Sequence, residues 1–320
     1  MEKGALFAGE KWLPYRKAGQ GHFFTVHSTF NRVINISTDQ GLLSVAAENI
    51  GASSAFLTVS GRYVDCGATV GQRCFVRAGQ MHLANSTINF KNAAPWKGPI
   101  SKGYRHGKIK EENITAFKAV LDRKAPPQSA WRIIHGTLPY GSPGSSCGKW
   151  SGFGAIRKLR ENPLLARNLV GLGQGLTPTG DDMLTGFLAM VNHAPGNGEF
   201  LRKLYGAVLD SLHKTVDISA QMLSNALDCD YHEYVQNCIR DVCEGEKEAV
   251  YMSAASLLKV GATSGADIAC GMYFGMLSLF QNSVSFEKGF RKTVQMASFS
   301  VKSKVDFPKT EVLENPLIGT

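Results

Sequence analysis

Three carboxylates are marked out by their neighbours. Asp181 and Asp182 lie in Gly171-Leu-Gly-Gln-Gly-Leu-Thr-Pro-Thr-Gly-Asp-Asp-Met-Leu-Thr-Gly186, and Asp267 lies in Gly261-Ala-Thr-Ser-Gly-Ala-Asp-Ile-Ala-Cys-Gly271. The two stretches share one pattern at a constant offset: Gly180 matches Gly265, Asp182 matches Asp267 and Gly186 matches Gly271. Each reads as a glycine-rich turn running into a helix, with Thr179 or Ser264 as hydroxyl cap and an Asp in the first turn. A glycine-rich loop before a helix offers free N–H groups and the positive end of a dipole, which suits a small anion. Gly171, Gly173, Gly175, Thr177, Thr179, Gly180, Ser264 and Gly265 are the candidate phosphate- or substrate-binding residues, and Asp181, Asp182 and Asp267 the candidate catalytic ones. A Mg²⁺ ion on Asp181 and Asp182 is a candidate cofactor, because that ion takes one or two carboxylates plus substrate oxygens.

The glycines one turn after each Asp remove side-chain bulk. The two helices are therefore expected to cross closely and to bring Asp182 and Asp267 to one place, leaving Asp181 as the unmatched carboxylate and the first place to look for chemistry. The competing reading needs no ligand: two capped helices packed through small residues. Thr215-Val-Asp-Ile-Ser-Ala220 is a further helix start, either a third wall of the site or a cap. No H-E-x-x-H or P-loop pattern occurs. Cys270, on an apolar helix, reads as an inert buried thiol.

These residues need elements to hold them. Short β-branched and aromatic runs fill the first hundred residues: 22–27, 32–37, 42–45, 55–59, 72–77 and 86–90, separated by turn residues. Their close spacing predicts an antiparallel sheet or small barrel. Segment 1–10 is short and mixed and does not read as a signal peptide. His22, His27 and His82 fall within this region, show no metal-ligand spacing and read as structural. Residues 92–107 read as a linker. Helical patterns follow at 111–124, 129–135, 155–170 (interrupted by Pro163), 199–213, 217–227, 231–243, 246–260, 266–280 and 286–296. The expected fold is α+β: a β-rich N-terminal domain (1–107), a helical linker with a Gly/Ser-rich loop or lid at 139–154 (108–154), a mostly α-helical domain carrying both motifs (155–300) and a tail (301–320).

Composition narrows the partners. The 320-residue chain has a net charge of +9, 43% hydrophobic and 19% charged residues. The basic residues are spread out and do not interleave with aromatics, which argues against nucleic acid. The most apolar window, 266–280, is too short to span a bilayer. Seven cysteines without a C-x-x-C pair argue against a disulfide framework or a zinc site. A reduced, cytoplasmic protein with small-anion partners is expected.

The stretch Gly171 to Gly186 resembles the signature GLGxGLTPSGDDFLxG of the AllH-type oxamate carbamoyltransferase subunit family, formerly a domain of unknown function. Thr263-Ser-Gly-Ala-Asp267 is similar to its second motif, HSSGxDxLxG, and His27-Ser-Thr-Phe30 with Asn35 to its N-terminal segment. Gln174 stands for the usual proline, Thr179 for serine and Ala262 for a histidine-like position. The resemblance implies purine-derived allantoin degradation, in which oxalurate and phosphate give oxamate and carbamoyl phosphate, with other subunits as partners. It leaves two alternatives open: a non-catalytic anion-binding or scaffold subunit, and a stand-alone enzyme of other chemistry on the same fold.

Overall fold

The structure is a computed structural model that describes residues 2–280 apart from 18, 63, 65, 102, 106, 108, 137–150 and 197. Cys147, most of the 139–154 loop, the helical pattern at 286–296 and the tail lie outside the described residues. Met1–Leu279 forms one compact unit. An N-terminal barrel precedes a helical region, the α+β order expected.

The barrel is built from β1 (Glu2–Ala8), β2 (His22–Thr29), β3 (Val33–Thr38), β4 (Gly41–Ala47), β5 (Phe56–Val59), β6 (Arg73–Arg77), β7 (Gln80–Leu83) and β8 (Ser86–Asn89), with a short β9 (Ala94–Pro95). Their order is β5-β4-β3-β2-β6-β7-β8-β1-β9, and a β1–β5 pairing closes the ring. β1 is the closing strand. It pairs antiparallel with β5, and parallel with β8 through Glu2–Gly4 and with β9 through Phe7–Ala8. The sequence of this segment lacks strand alternation; partners on both edges supply what local propensity does not. Inside lie Trp12, Val26, Ile34, Ile36, Val45, Leu57, Val76, Met81, Leu83, Ile88 and Phe90, and the Trp12 Nε1–H donates to the Ala55 carbonyl at 2.8 Å. His22 packs edge-on to Tyr15, and His82 stacks on Phe75, in keeping with structural roles.

A short helix α1 (Leu13–Lys17) lies in the barrel segment. The helical region holds α2 (Glu111–Lys124), α3 (Ala130–Ile134), α4 (Thr179–Val191), α5 (Gly198–Leu209), α6 (Asp217–Leu227), α7 (Glu233–Glu244), α8 (Lys247–Leu257) and α9 (Ser264–Phe280). The amphipathic pattern at 155–170 is realised differently, as two 3₁₀ segments, Ser151–Lys158 and Pro163–Asn168. Pro163 starts the second, where Asn162 Oδ1 accepts from the Leu164 N–H; a ring without an N–H cannot continue a helix from upstream. Every residue of α4 is buried, which explains its all-round apolar run: it is the axis of the helical region.

Barrel and helices are joined by polar contacts. The Leu42 N–H donates to Gln221 Oε1 at 3.1 Å, Lys11 reaches Asp230 at 2.9 Å, and Glu233 holds Ala52 through both an accepted and a donated hydrogen bond. Among the described residues, no helix is long and apolar enough to cross a membrane.

Candidate functional site

The two motif helices meet. A Cβ on Gly186 would strike the Ile268 carbonyl of α9, and one on Gly271 would strike the Met183 carbonyl of α4. The two collisions are the same contact seen from either helix, since Gly186 and Gly271, like Met183 and Ile268, are matched positions. Gly275 extends the crossing; its Cβ would come within 2.9 Å of the Phe187 carbonyl. Backbones can approach this closely only where side chains are absent.

The crossing sets both helix starts side by side, and Thr177 Oγ1 and Ser264 Oγ are hydrogen-bonded at 2.7 Å. The helix starts themselves are alike. Asp182 N–H donates to the Pro178 carbonyl at 3.1 Å and Asp267 N–H to the Thr263 carbonyl at 2.9 Å. Thr179 is the first helical residue and Pro178 the residue before it, so the Thr179 hydroxyl does not cap. That hydroxyl lies beside Asp267 instead, as Ser264 lies beside Asp182. Each carboxylate thus faces the hydroxyl that opens the opposite helix.

The three carboxylates have different surroundings, because successive helix residues point about 100° apart. Asp181 turns toward α6. Its Oδ1 accepts from the Gly171 N–H at 2.8 Å, and its Oδ2 accepts from Thr215 at 2.5 Å and Ser219 at 2.7 Å. Burial raises its pKa, and these three donors pull it back. Asp182, 1% exposed, and Asp267, fully buried, lie close enough for the charge of Asp267 to act on Asp182. Neither Asp182 oxygen has a hydrogen-bond partner among the described residues, nor has Asp267 Oδ2; Asp267 Oδ1 accepts from the Ala130 N–H at 2.6 Å. The Thr177 and Ser264 hydroxyls temper Asp182's charge by proximity but direct their bond to one another. Burial, followed by the charge of Asp267, raises the Asp182 pKa well above the ordinary value. Burial pushes Asp267 up to about 7. Two carboxyls in one dry place cannot both ionise cheaply, so the pair holds a proton near neutrality.

The loop ahead of α4 is held at its base and open at its tip. Gly171 (φ +73°) sits where a Cβ would strike the Lys214 carbonyl, and at Gly173 (φ +126°) one would lie 2.7 Å from the Thr179 nitrogen. Both backbone conformations are ones that side chains resist. The Gly171 N–H is taken by Asp181, the Leu172 N–H by Leu169 and the Gly180 N–H by Leu172. The N–H groups of 173–176 make no hydrogen bond among the described residues, and Gly173, Gln174, Gly175 and Leu176 are exposed. Gly265 donates to the Val260 carbonyl at 3.0 Å and is packed against Leu257.

A metal on Asp181 and Asp182 would need two side chains that point apart, one already accepting three hydrogen bonds. Among the described residues, no group of three or more His, Cys, Asp or Glu side chains is placed to hold a metal ion. Cys270 is buried, and burial raises its thiol pKa well above the ordinary value, as an inert role requires. Asp181→Ala is expected to leave three donors without their acceptor and to cost ~3 kcal/mol or more in urea unfolding. It should also speed amide exchange at Gly171; unchanged exchange there would separate the loop from Asp181.

The helix start at 215–220, expected as a third wall of the site or a cap, lies against Asp181, and its link to the barrel is what the sequence did not show. Thr215 and Ser219, which bind Asp181, flank Asp217 at the start of α6. Asp217 Oδ2 lies 3.3 Å from His27 Nε2 on β2. His27 Nδ1 lies 3.1 Å from Ser28 Oγ, which accepts from Asn35 Nδ2 at 2.9 Å, and Ser44 Oγ donates to Asn35 Oδ1 at 2.7 Å. The register of β2 against β3 shifts between Val26 and Ser28. This β-bulge turns His27 to the same side as Ser28, an arrangement that strict alternation would forbid. Histidine, serine and asparagine within a strand were the available signal; the bulge that joins them was not visible.

Residues 169–276 match the family model of the oxamate carbamoyltransferase subunit AllH. The matched span opens just before the glycine loop and closes within α9, so it contains both motifs and their crossing. The family is named as one subunit of a carbamoyltransferase, which implies partner chains. No solved structure matches the chain.

Proposed function

We propose, taking that family match as the premise, that this chain is a subunit of an oxamate carbamoyltransferase that converts oxalurate and phosphate to oxamate and carbamoyl phosphate together with partner chains. The match over 169–276 carries the reading. All four reactants and products are small anions, and loop 171–178 is the place for one of them. Four successive N–H groups at 173–176 are free of partners among the described residues and lie ahead of the α4 N-terminus. Asp181 acts as the positioning residue that fixes the base of this loop. Asp182 and Asp267, whose pKa values burial raises, carry less negative charge than two ordinary carboxylates and so repel a bound anion less. In the reaction, a phosphate oxygen displaces nitrogen at the ureido carbonyl carbon; the carbon–nitrogen bond breaks and oxamate nitrogen takes a proton.

A second reading is favoured by the depth of the acid pair. Asp182 and Asp267 are sealed from solvent, as suits a scaffold subunit whose loop binds an anion without transforming it. Reconstituting the chain with its partner subunits and following phosphate-dependent oxamate release separates the two. Under the catalytic reading, Gly173→Val lowers kcat/KM by about tenfold or more through a raised KM, a loss of at least ~1.4 kcal/mol of binding. Full activity in Gly173→Val and in the Asp181→Asn, Asp182→Asn double variant would sink the catalytic version.

A further inference from the structure

The barrel–α6 junction carries a second constellation. Ser28, His27 and Asp217 stand in the order nucleophile, base, orienting carboxylate, and one assignment of protons satisfies all of them. Ser28 Oγ–H donates to His27 Nδ1, and His27 Nε2–H donates to Asp217 Oδ2, at the 3.1 and 3.3 Å separations found. These distances are in the range a nucleophile–base–carboxylate chain shows before substrate tightens it. Asn35 supplies what the oxygen needs as its proton leaves. Its Nδ2–H points at Ser28 Oγ from 2.9 Å, and Ser44 fixes the amide by donating to its Oδ1. Asn35 and Ser44 are buried, while His27 is a quarter exposed, so the chain of contacts runs from a buried end to an exposed one.

A merely structural role accounts for less of this. The side chain of Asp217 is 83% exposed, and an exposed pair of this kind adds little stability. The bulge disrupts a ladder to bring His27 beside Ser28. The place also adjoins the glycine loop: Gly171 packs against Lys214 and Thr215, two residues before Asp217, and Thr215 binds Asp181.

We propose that Ser28, His27 and Asp217 form a nucleophilic site that accepts an acyl-type group, a carbamoyl group in the reading above, at the junction of the barrel and α6. The identity of the group rests on that reading; the triad does not. Ser28 Oγ attacks the carbonyl carbon of the donor while its proton passes to His27 Nδ1. The bond from that carbon to the leaving nitrogen or oxygen then breaks, and His27 returns the proton to the leaving atom. The product is an ester, or a carbamate, on Ser28, which phosphate or water later resolves by the reverse path.

The test uses the full chain and two kinds of probe, read by mass spectrometry of the peptide containing Ser28. A fluorophosphonate should label Ser28 in the unmodified protein. Labelling should vanish in Ser28→Ala, slow by about 100-fold or more in His27→Gln, and slow by a smaller factor in Asp217→Asn, whose exposed site leaves folding intact. Oxalurate or carbamoyl phosphate, without added phosphate, should leave a carbamoyl group on the same peptide. No fluorophosphonate adduct on Ser28, or an unchanged rate in His27→Gln protein of unaltered circular dichroism, overturns the triad. A fluorophosphonate adduct without a carbamoyl adduct overturns carbamoyl as the group carried while keeping the nucleophile. Absence of oxamate release from the reconstituted complex, beside a labelled Ser28, rejects the carbamoyltransferase reading alone.

Discussion

Asp267→Asn should flatten the pH dependence of stability between about pH 4 and pH 7 and leave the variant more stable than the parent above neutrality. In the folded protein burial holds the Asp267 carboxyl at about 7, against an ordinary value of 3.8. Between those values the folded state keeps a proton that the unfolded chain has released. Stability is therefore highest below the unfolded value and falls as pH rises, by ~1.4 kcal/mol per pH unit for one such group. Asp182 shifts in the same direction and steepens the fall. Over the whole interval Asp267 alone accounts for about 4 kcal/mol, a large share of a domain's stability. Asparagine can keep the bond from the Ala130 N–H through Oδ1 and cannot ionise, and the repulsion on Asp182 disappears with the charge. Urea unfolding at pH 5, 6, 7 and 8 measures this directly. A parent protein whose stability is level across that range would show that the pair is not held in a dry, shared site.

Gly186→Ala and Gly271→Ala are expected to be strongly destabilising, each costing at least ~3 kcal/mol. An alanine ordinarily favours a helix over glycine by about 0.5–1 kcal/mol. Here the added Cβ would collide with a carbonyl of the crossing helix, Ile268 in one case and Met183 in the other. A backbone carbonyl cannot step aside as a flexible side chain can, so α4 and α9 must separate along their contact. Separation would pull apart the Thr177–Ser264 bond and admit water to Asp182 and Asp267. Gly206 in α5 is the control: nothing lies within 4 Å of its Cβ position, and Gly206→Ala should stabilise by a few tenths to 1 kcal/mol. The double variant Gly186→Ala, Gly271→Ala should cost less than the sum, because the first substitution already opens the gap that the second requires. Equal melting temperatures for Gly271→Ala and Gly206→Ala would contradict the close crossing.

The pairing of the two motifs was readable because it is written in local chemistry. Glycine, hydroxyl and Asp at matched positions specify a helix start, and a glycine one turn later marks a face without side chains. The strands at β2–β6 and β8 were likewise legible from β-branched and aromatic runs, and α2 and α6 start and end where their patterns do. β1 was not legible, since its order comes from β5, β8 and β9 rather than from its own residues. The segment 155–170 misled because 3.6-residue periodicity also fits two 3₁₀ turns that bury Ile156, Leu159, Ala166 and Leu169.

By itself, the sequence determined that two glycine–Asp helix starts exist, that they correspond, and that they lie in a helical region after a β-rich one. Which carboxylate faces which partner was decided only by tertiary structure. Asp181 and Asp182 are adjacent in the chain yet point about 100° apart on α4. One is ringed by donors from Gly171, Thr215 and Ser219, and the other is set against Asp267 with no donor of its own among the described residues. His27 and Ser28 came to one side of β2 through a bulge, and Asp217 met them from a helix far along the chain. Local sequence sets what a residue can do and where its backbone turns. The neighbours that set its charge, its proton and its partner come from elements distant in sequence.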